Sequence, residues 1–143
     1  MRLGHIIKHA SNGVPNMPDW RPKLRSRTDG NPRIMGILNI TPDSFHGQSR
    51  FETVESATKE AITMAENGAD WIDVGGESTR PGSKAVPPQE EKARVVPVIQ
   101  SIRDELPDIG ISIDTRRSSV ASASLHAGAD MINDVSSLGD PGM

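Results

Sequence analysis

Carboxylates, carboxamides and hydroxyls are concentrated in four short stretches of the sequence, at residues 39–45, 73–83, 114–117 and 133–136. The longest stretch reads DVGGESTRPGS and has no apolar side chain after its valine except proline. Brought together, such groups can recognise a planar heterocycle, because a carboxylate accepts a pair of N–H bonds and a carboxamide both donates and accepts. A carboxylate would also stabilise positive charge that develops on the bound ring.

Three side chains are the first candidates for such a site. Asp114 supplies the carboxylate and Asn133 the carboxamide, while Asn39 offers a neutral oxygen. That oxygen suits Mg²⁺, an ion that keeps several waters and bridges to substrate phosphates. Two of them also have an ordinary structural alternative: Asn39 could close a turn, and Asp114, or Ser118 after it, could cap the following helix. Their coincidence at one edge of a fold would favour a site.

Alternating strands and helices would bring these residues together. Short apolar runs predict strands, and apolar residues at helical spacing predict helices. The predicted strands are 33–38, 71–74, 110–114 and 131–134, and the predicted helices are 52–67, 88–106 and 118–127. This order predicts an α/β fold with parallel strands and right-handed crossovers. In such a fold ligands bind beyond the carboxyl ends of the strands, where all four polar stretches fall.

One segment of the sequence occurs twice. GADWIDV at residues 68–74 is echoed by GADMIND at residues 128–134. Each copy predicts a glycine that ends a helix, a short turn and a buried strand. The repeat therefore supports the alternation of helices and parallel strands.

Composition limits the classes of function. The net charge of −3 and the pI of about 5.8 provide no broad basic field, so nucleic acid is not an expected partner. The absence of cysteine excludes disulfides and thiolate metal sites and fits a reducing compartment. No apolar run is long enough to span a bilayer or to form a signal peptide. We therefore expect no membrane partner and a cytoplasmic location.

The chain is long enough for one domain. Residues 1–32 show little periodicity and predict a loosely structured N-terminal extension, whereas residues 33–143 carry the alternating pattern of the domain.

Four motifs, in this order, resemble the signatures of dihydropteroate synthase. They are GILNITPDSF (36–45), DVGGESTRPGS (73–83), SIDT (112–115) and INDVSS (132–137). The resemblance covers about residues 34–137. The STRPG loop separates this family from the methyltetrahydrofolate methyltransferases, which are similar pterin-binding barrels, and so argues against a methyltransferase-type pterin carrier.

The resemblance implies a transferase built on an eight-stranded (β/α)8 TIM barrel, of which this chain would form the first half, about four βα units. The family joins p-aminobenzoate to 6-hydroxymethyl-7,8-dihydropterin diphosphate. Pyrophosphate is released with Mg²⁺ present, and the product, dihydropteroate, serves folate biosynthesis. The family pattern also implies that the diphosphate leaves before the amine attacks, so no side-chain nucleophile is expected.

Carried over residue by residue, the resemblance assigns a role to each matching position. Asn39 would contact the metal and the diphosphate, and Thr79 would approach the pterin diphosphate. Asp114 and Asn133 would hold the pterin. Two mobile loops would close over p-aminobenzoate, in the region where sulfonamides compete, and their matching residues are Pro42, Phe45, Arg80 and Pro81.

Two features depart from the family pattern. HGQS follows Phe45 where the family has Ser-Asp-Gly-Gly, so the loop acid is missing and closure of that loop would be weaker. A complete barrel of this type needs about 250 residues. The second pterin-binding aspartate, the lysine of the S-x-K segment, and the Arg and His that grip the diphosphate would therefore lie outside this chain.

These departures leave an alternative to the synthase. The chain could be a non-catalytic half-barrel that binds pterin weakly or assembles with a partner, either as a homodimer or with a complementing C-terminal half. An uncovered parallel edge at the last strand would make the isolated chain marginally stable or prone to associate.

Overall fold

The computed structural model describes residues 30–40, 50–78 and 85–143. Most of the predicted N-terminal extension, residues 1–29, lies outside these ranges. Within them, strands alternate with helices in the order β1 (Met35–Asn39), α1 (Arg50–Glu66), β2 (Trp71–Gly75), α2 (Pro88–Glu105), β3 (Gly110–Asp114), α3 (Ser118–His126) and β4 (Met131–Asn133). The strands form one parallel sheet in the order β1-β2-β3-β4. The predicted α/β fold with parallel strands is confirmed.

One face of the sheet packs against the helices. Side chains alternate between the two faces of a strand, and on this face they are large, apolar and fully buried. They are Leu38, Ile72, Val74, Ile111 and Ile113. The helices contribute Ala57, Ala61, Val95, Val98, Ile99, Ile102 and Val120 to the same core. This burial fixes the helices on one side of the sheet and leaves the opposite face available.

The opposite face, called here the second face, holds three rows of side chains set by the strand register. The first row joins Met35, Trp71 and Gly110, and the second joins Ile37, Asp73, Ser112 and Met131. The third row, at the carboxyl ends of the strands, consists of Asn39, Gly75, Asp114 and Asn133. The second face therefore changes from apolar to polar along the strands.

The repeated segment ends two helices in the same way. Gly68 follows α1 with a φ of 97°, and Gly128 follows α3 with a φ of 113°. Side chains with a Cβ are strained at such angles, whereas glycine is not. Each glycine therefore turns the chain from a helix towards the start of the next strand.

The acid of each repeat joins two neighbouring strands. Asp70 precedes β2 and Asp130 precedes β4, and each accepts a backbone N–H near the start of the neighbouring strand at 2.9 Å. Each also pairs with an arginine, Asp70 with Arg33 at 2.6 Å and Asp130 with Arg103 at 2.7 Å. The repeat thus places the same interaction, an aspartate bound to a backbone N–H and to an arginine, at the amino-terminal ends of two pairs of strands.

Among the helices in the described ranges, none has the length and apolar character that a membrane crossing needs.

Candidate functional site

Three of the four residues predicted to bind pterin diphosphate stand in one row. Asn39, Asp114 and Asn133 end β1, β3 and β4 and share the register row of Gly75, which ends β2. We call these four positions the terminal row. The strand register therefore brings together residues that are far apart in the sequence.

The other predicted site residues belong to the stretches 41–49 and 79–84. Thr79 lies outside the described residues, and so does the position of the missing loop acid. The same holds for the residues predicted around p-aminobenzoate, which are Pro42, Phe45, Arg80 and Pro81. Their roles stay predictions.

Gly75 leaves a gap in the terminal row. A Cβ at this position would lie 3.3 Å from Asn39 Oδ1, 3.8 Å from Asp114 Cβ and 3.9 Å from Asp114 Oδ2. The amide oxygen and the carboxylate therefore approach the backbone of β2 from either side. Because glycine has no side chain, a ligand can come close to the backbone here.

Asp73 is a site residue that the sequence alone did not single out. It lies on the second face two residues before Gly75 and is only 6% exposed. Its Oδ2 accepts a hydrogen bond from Nδ2 of Asn133 at 3.0 Å. Strands β2 and β4 are alternate strands, and alternate strands fill one layer inside a TIM barrel. The repeated segment could have indicated this residue. When its two copies are aligned, Asp73 in the first copy matches Asn133 in the second.

Unpaired polar atoms surround this contact. With Nδ2 of Asn133 turned towards Asp73, its Oδ1 is left as an acceptor. Among the described residues no hydrogen-bond partner exists for the buried Oδ1 of Asp73 or for the buried hydroxyl of Ser112, the neighbour of Asp73 in the register. Buried groups of this kind cost free energy. A ligand with N–H groups would remove that cost.

The electrostatics of the terminal row favour a donor or a cation. Burial, together with the negative charges of Asp73, Glu91 and Asp134, raises the pKa of Asp114 to about 6. In the part of the chain that the structure describes, no lysine or arginine forms an ion pair with Asp73 or Asp114. Two buried or half-buried acids without a paired cation are typical of a functional site.

The helix-capping alternatives for Asp114 and Ser118 are wrong. Helix α3 is capped from a distance by Asp140, whose Oδ2 accepts the Ser118 N–H at 2.9 Å and the Ser118 hydroxyl at 3.0 Å. Backbone N–H groups of Gly142 and Ser118 lower the pKa of Asp140 below its usual value. Asp114 is therefore not needed as a cap and remains available to a ligand.

The sequence is similar to proteins of one kind. Residues 35–143 match the family model described as pterin binding enzyme. The chain is 54% identical over 110 residues to the probable bifunctional folylpolyglutamate synthase/dihydropteroate synthase of Halobacterium salinarum. The matched region covers 77% of this chain and 13% of that protein. It is 53% identical over 103 residues to dihydropteroate synthase of Synechocystis sp., and this match covers 72% of this chain and 35% of that protein.

Solved structures show the same similarity. The dihydropteroate synthase of Xanthomonas albilineans with 4-aminobenzoic acid matches with a TM-score of 0.72 and 48% identity, over 78% of this chain and 41% of that one. The Clostridium difficile dihydropteroate synthase solved in the presence of pteroic acid matches with a TM-score of 0.71 and 50% identity, over 76% and 41%. This chain thus spans about two fifths of the length of these structures.

Proposed function

The chain belongs to the family of pterin-binding enzymes, and from this premise we propose that it supplies the pterin-binding half of a dihydropteroate synthase, a transferase of folate biosynthesis. The proposed reaction joins p-aminobenzoate to 6-hydroxymethyl-7,8-dihydropterin diphosphate and gives 7,8-dihydropteroate and pyrophosphate. One observation carries the proposal. Asp73, which is buried, and Asp114 and Asn133, which are half-buried, form a cluster of acceptors at the carboxyl end of a parallel sheet.

The cluster suits the amino-pyrimidinone edge of a pterin. That edge presents adjacent N–H donors, and the acceptors on the second face include the Asp73 and Asp114 carboxylates and Oδ1 of Asn133. Charge-assisted hydrogen bonds of this type are the stronger ones. A bound donor would stabilise the ionised form of Asp114, whose pKa is raised to about 6 in the free protein.

The same acids can assist the chemical step. In the proposed reaction the C–O bond to the diphosphate breaks first, and the pyrophosphate takes the electron pair. The ring is left positively charged, and the negative charges of Asp73 and Asp114 would stabilise that charge. The amine of p-aminobenzoate then forms the new C–N bond and loses a proton. No side-chain nucleophile takes part.

Magnesium remains part of the proposal. Asn39 is exposed at the end of β1, and its amide oxygen lies on the Asp114 side of the strand, next to Gly75. Within the described residues no group of three His, Cys, Asp or Glu could hold a metal ion. A single amide oxygen fits an ion that is bound mainly by water and substrate phosphates. When bound, the ion would neutralise charge on the departing diphosphate.

The remaining assignments are carried by the resemblance. Thr79 would approach the diphosphate, and the residues around p-aminobenzoate would be Pro42, Phe45, Arg80 and Pro81. The presence of 4-aminobenzoic acid in the related Xanthomonas structure supports p-aminobenzoate as the second substrate. A cytoplasmic location also stays a prediction.

A second candidate function is a pterin-binding half-barrel without catalysis of its own. Met35 and Ile37, on the second face of β1, are 40% and 65% exposed. Large apolar residues at this exposure favour contact with another protein surface. A second copy of the chain or a complementing C-terminal half would cover them.

Calorimetric titration separates the two candidates. The chain is titrated with the pterin diphosphate in the presence of Mg²⁺, and dihydropteroate is then assayed after p-aminobenzoate is added. Binding with product formation supports the synthase, and binding without product supports the non-catalytic half-barrel. Absence of binding would contradict both.

A glycine substitution locates the pterin. In Gly75→Ala the added methyl lies 3.3 Å from Asn39 Oδ1 and fills the gap in the terminal row. We expect the pterin affinity to fall by about fivefold or more, since a displaced hydrogen bond costs about 1 kcal/mol or more. Gly139→Ala, where the three atoms nearest to the added methyl all belong to Ser136, is the matched control and should leave the affinity unchanged. Equal affinities in both variants would place the pterin elsewhere.

A further inference from the structure

Glu91 is a buried acid that has no part in the proposed reaction. It lies in the first turn of α2, and its side chain is only 1% exposed. A charge buried to this degree is costly unless it is paired and hydrogen-bonded. The partners that satisfy Glu91 lie at the carboxyl ends of the strands, next to the terminal row.

The first partner is Thr115, the residue that follows Asp114. Its hydroxyl donates to Oε1 of Glu91 at 2.7 Å and accepts the backbone N–H of Arg117 at 3.2 Å. The backbone N–H of Thr115 donates to the carbonyl oxygen of Asn133 at 3.0 Å. Thr115 is therefore held by α2 through its side chain and by β4 through its backbone, and it connects the two half-buried residues of the proposed pterin site.

The second partner is Arg117, which donates to Oε2 of Glu91. The same guanidinium nitrogen also donates to Oε2 of Glu77 at 2.5 Å. Both oxygens of the Glu91 carboxylate thus have a donor within the chain. Glu91 therefore differs from the acids of the site, whose charges no arginine or lysine of the described residues pairs with.

The stem of Glu91 packs against the end of β2. A Cβ at Gly76 would lie 3.0 Å from Cγ of Glu91 and 2.8 Å from Cγ1 of Val95, which is closer than a side chain can come without a shift. Gly76 directly follows Gly75 of the terminal row. One side chain therefore lies against the residue after β2 and bonds to the residue after β3.

We propose that Glu91 is a positioning residue for the pterin, which acts by holding Thr115 and with it the strand end that carries Asp114. The inference rests on the proposed function, because it takes Asp114 and Asn133 as pterin acceptors. Glu91 belongs to a helix on the covered side of the sheet, so it acts through Thr115 and not by contact with the ligand. An acceptor that is held in place before binding loses less conformational freedom when the ligand arrives.

The test removes the link and leaves every charge in place. Thr115→Val keeps the shape of the side chain but takes away the donor to Glu91. The Kd of the pterin diphosphate with Mg²⁺ is measured by calorimetry at pH 8, and the Tm is measured in parallel. We expect the Kd to rise about fivefold, as for the loss of one hydrogen bond. Thr115→Ser keeps the hydroxyl and should restore the Kd to within about twofold of the unchanged chain.

Thr58→Val is the matched control for a merely structural effect. Thr58 is also a buried threonine, 6% exposed, and its hydroxyl donates to the carbonyl oxygen of Val54 at 2.8 Å and lies 2.9 Å from Oγ of Ser101. These bonds join α1 to α2 and involve no strand end. The variant should lower the Tm as Thr115→Val does but leave the Kd unchanged. An equal rise of the Kd in both variants would show that affinity merely follows stability and would overturn the inference.

Glu91→Gln tests the same link from the side of the helix. Burial and the charges of Asp73 and Glu91 raise the pKa of Asp114 to about 6, so this acid is ionised at pH 8 whether or not Glu91 is charged. The loss of charge alone would therefore leave the affinity at pH 8 unchanged. Loss of the charged acceptor for Thr115 should instead raise the Kd, and an unchanged or lower Kd would contradict the inference.

Failure of the inference is distinct from failure of the proposed function. If the unchanged chain binds the pterin diphosphate and Thr115→Val binds it equally well, the inference is wrong and the function stands. If the unchanged chain does not bind it, the proposed function itself fails.

Discussion

The acids at the two ends of the sheet differ in whether their charges are paired. At the amino-terminal ends of the strands, Asp70 and Asp130 each accept a backbone N–H and pair with an arginine. At the carboxyl ends, Asp73 has only the amide of Asn133, and Asp114 has neither a cation nor a backbone donor among the described residues. Similar carboxylates thus have compensated charges at one end and uncompensated charges at the other.

This difference separates stability from function. A carboxylate whose negative charge is compensated by an arginine and a backbone N–H stabilises the fold. A carboxylate that the chain leaves unsatisfied costs stability and is available for binding. The raised pKa of Asp114 is the measurable sign of that cost. Substitutions at the two ends should therefore have effects of opposite sign on stability.

The largest effect is expected at the amino-terminal end. Asp130→Ala leaves the Arg103 guanidinium without its carboxylate and the Ile111 N–H without its acceptor. Removal of one partner of a buried ion pair costs about 3–5 kcal/mol, and the free energy of unfolding from urea denaturation should fall by this amount. Asp104→Ala, an exposed acid on α2, is the control. Equal losses in both variants would contradict the contrast between the two ends.

A smaller effect of opposite sign is expected at Asp114. Its folded-state pKa of about 6 lies above the ordinary value of 3.8, so ionisation within the fold opposes folding and stability falls as the pH rises through this window. Asp114→Asn removes the titration. We expect the variant and the unchanged chain to be similarly stable near pH 4 and the variant to be more stable above pH 6.

Stability and binding should separate in Asp114→Asn. Denaturation measured from pH 4 to pH 8 gives the first quantity, and titration with the pterin diphosphate gives the second, which should weaken because a charged acceptor is lost. Asp108→Asn, at an exposed acid, controls for the change of net charge. Stability curves for Asp114→Asn and the unchanged chain that run parallel over the whole range would refute the assignment.

The smallest effect is expected at Arg33. Its side chain is 34% exposed, and Asp70 keeps its backbone donor when the arginine is removed. Exposed ion pairs contribute about 0–1 kcal/mol and less at high salt. Arg33→Gln should therefore lower the free energy of unfolding by at most about 1 kcal/mol in low salt. A loss of stability as large as that of Asp130→Ala would contradict the prediction that the more exposed ion pair of Asp70 contributes less than the ion pair of Asp130.

Much of the fold could be predicted from the sequence. The strand and helix bounds agree with the structure to within about two residues, because hydrophobic periodicity and glycine stops are local signals. Asn39, Asp114 and Asn133 were predicted to meet, and the register places them in one row. Local signals sufficed here since parallel strands necessarily present their carboxyl ends on one side.

Two contacts could not be predicted from the sequence. Asp73 begins the polar stretch 73–83 and lies in a predicted strand, but the sequence does not single it out, because its hydrogen bond to Asn133 spans 60 residues. The sequence gives no sign of the second contact, the ion pair in which the structure buries Glu91 against Arg117. Both depend on which side chains the packing of separate elements brings within hydrogen-bonding distance.

The sequence by itself determined the alternation of strands and helices, the polar stretches at the strand ends and the order of the family motifs, because each is written in local periodicity or in adjacent residues. Only the tertiary structure decided which acids are neutralised and which are left for a ligand. That choice depends on distances between groups as much as 60 residues apart, and such distances are fixed by strand register and helix packing rather than by any local pattern.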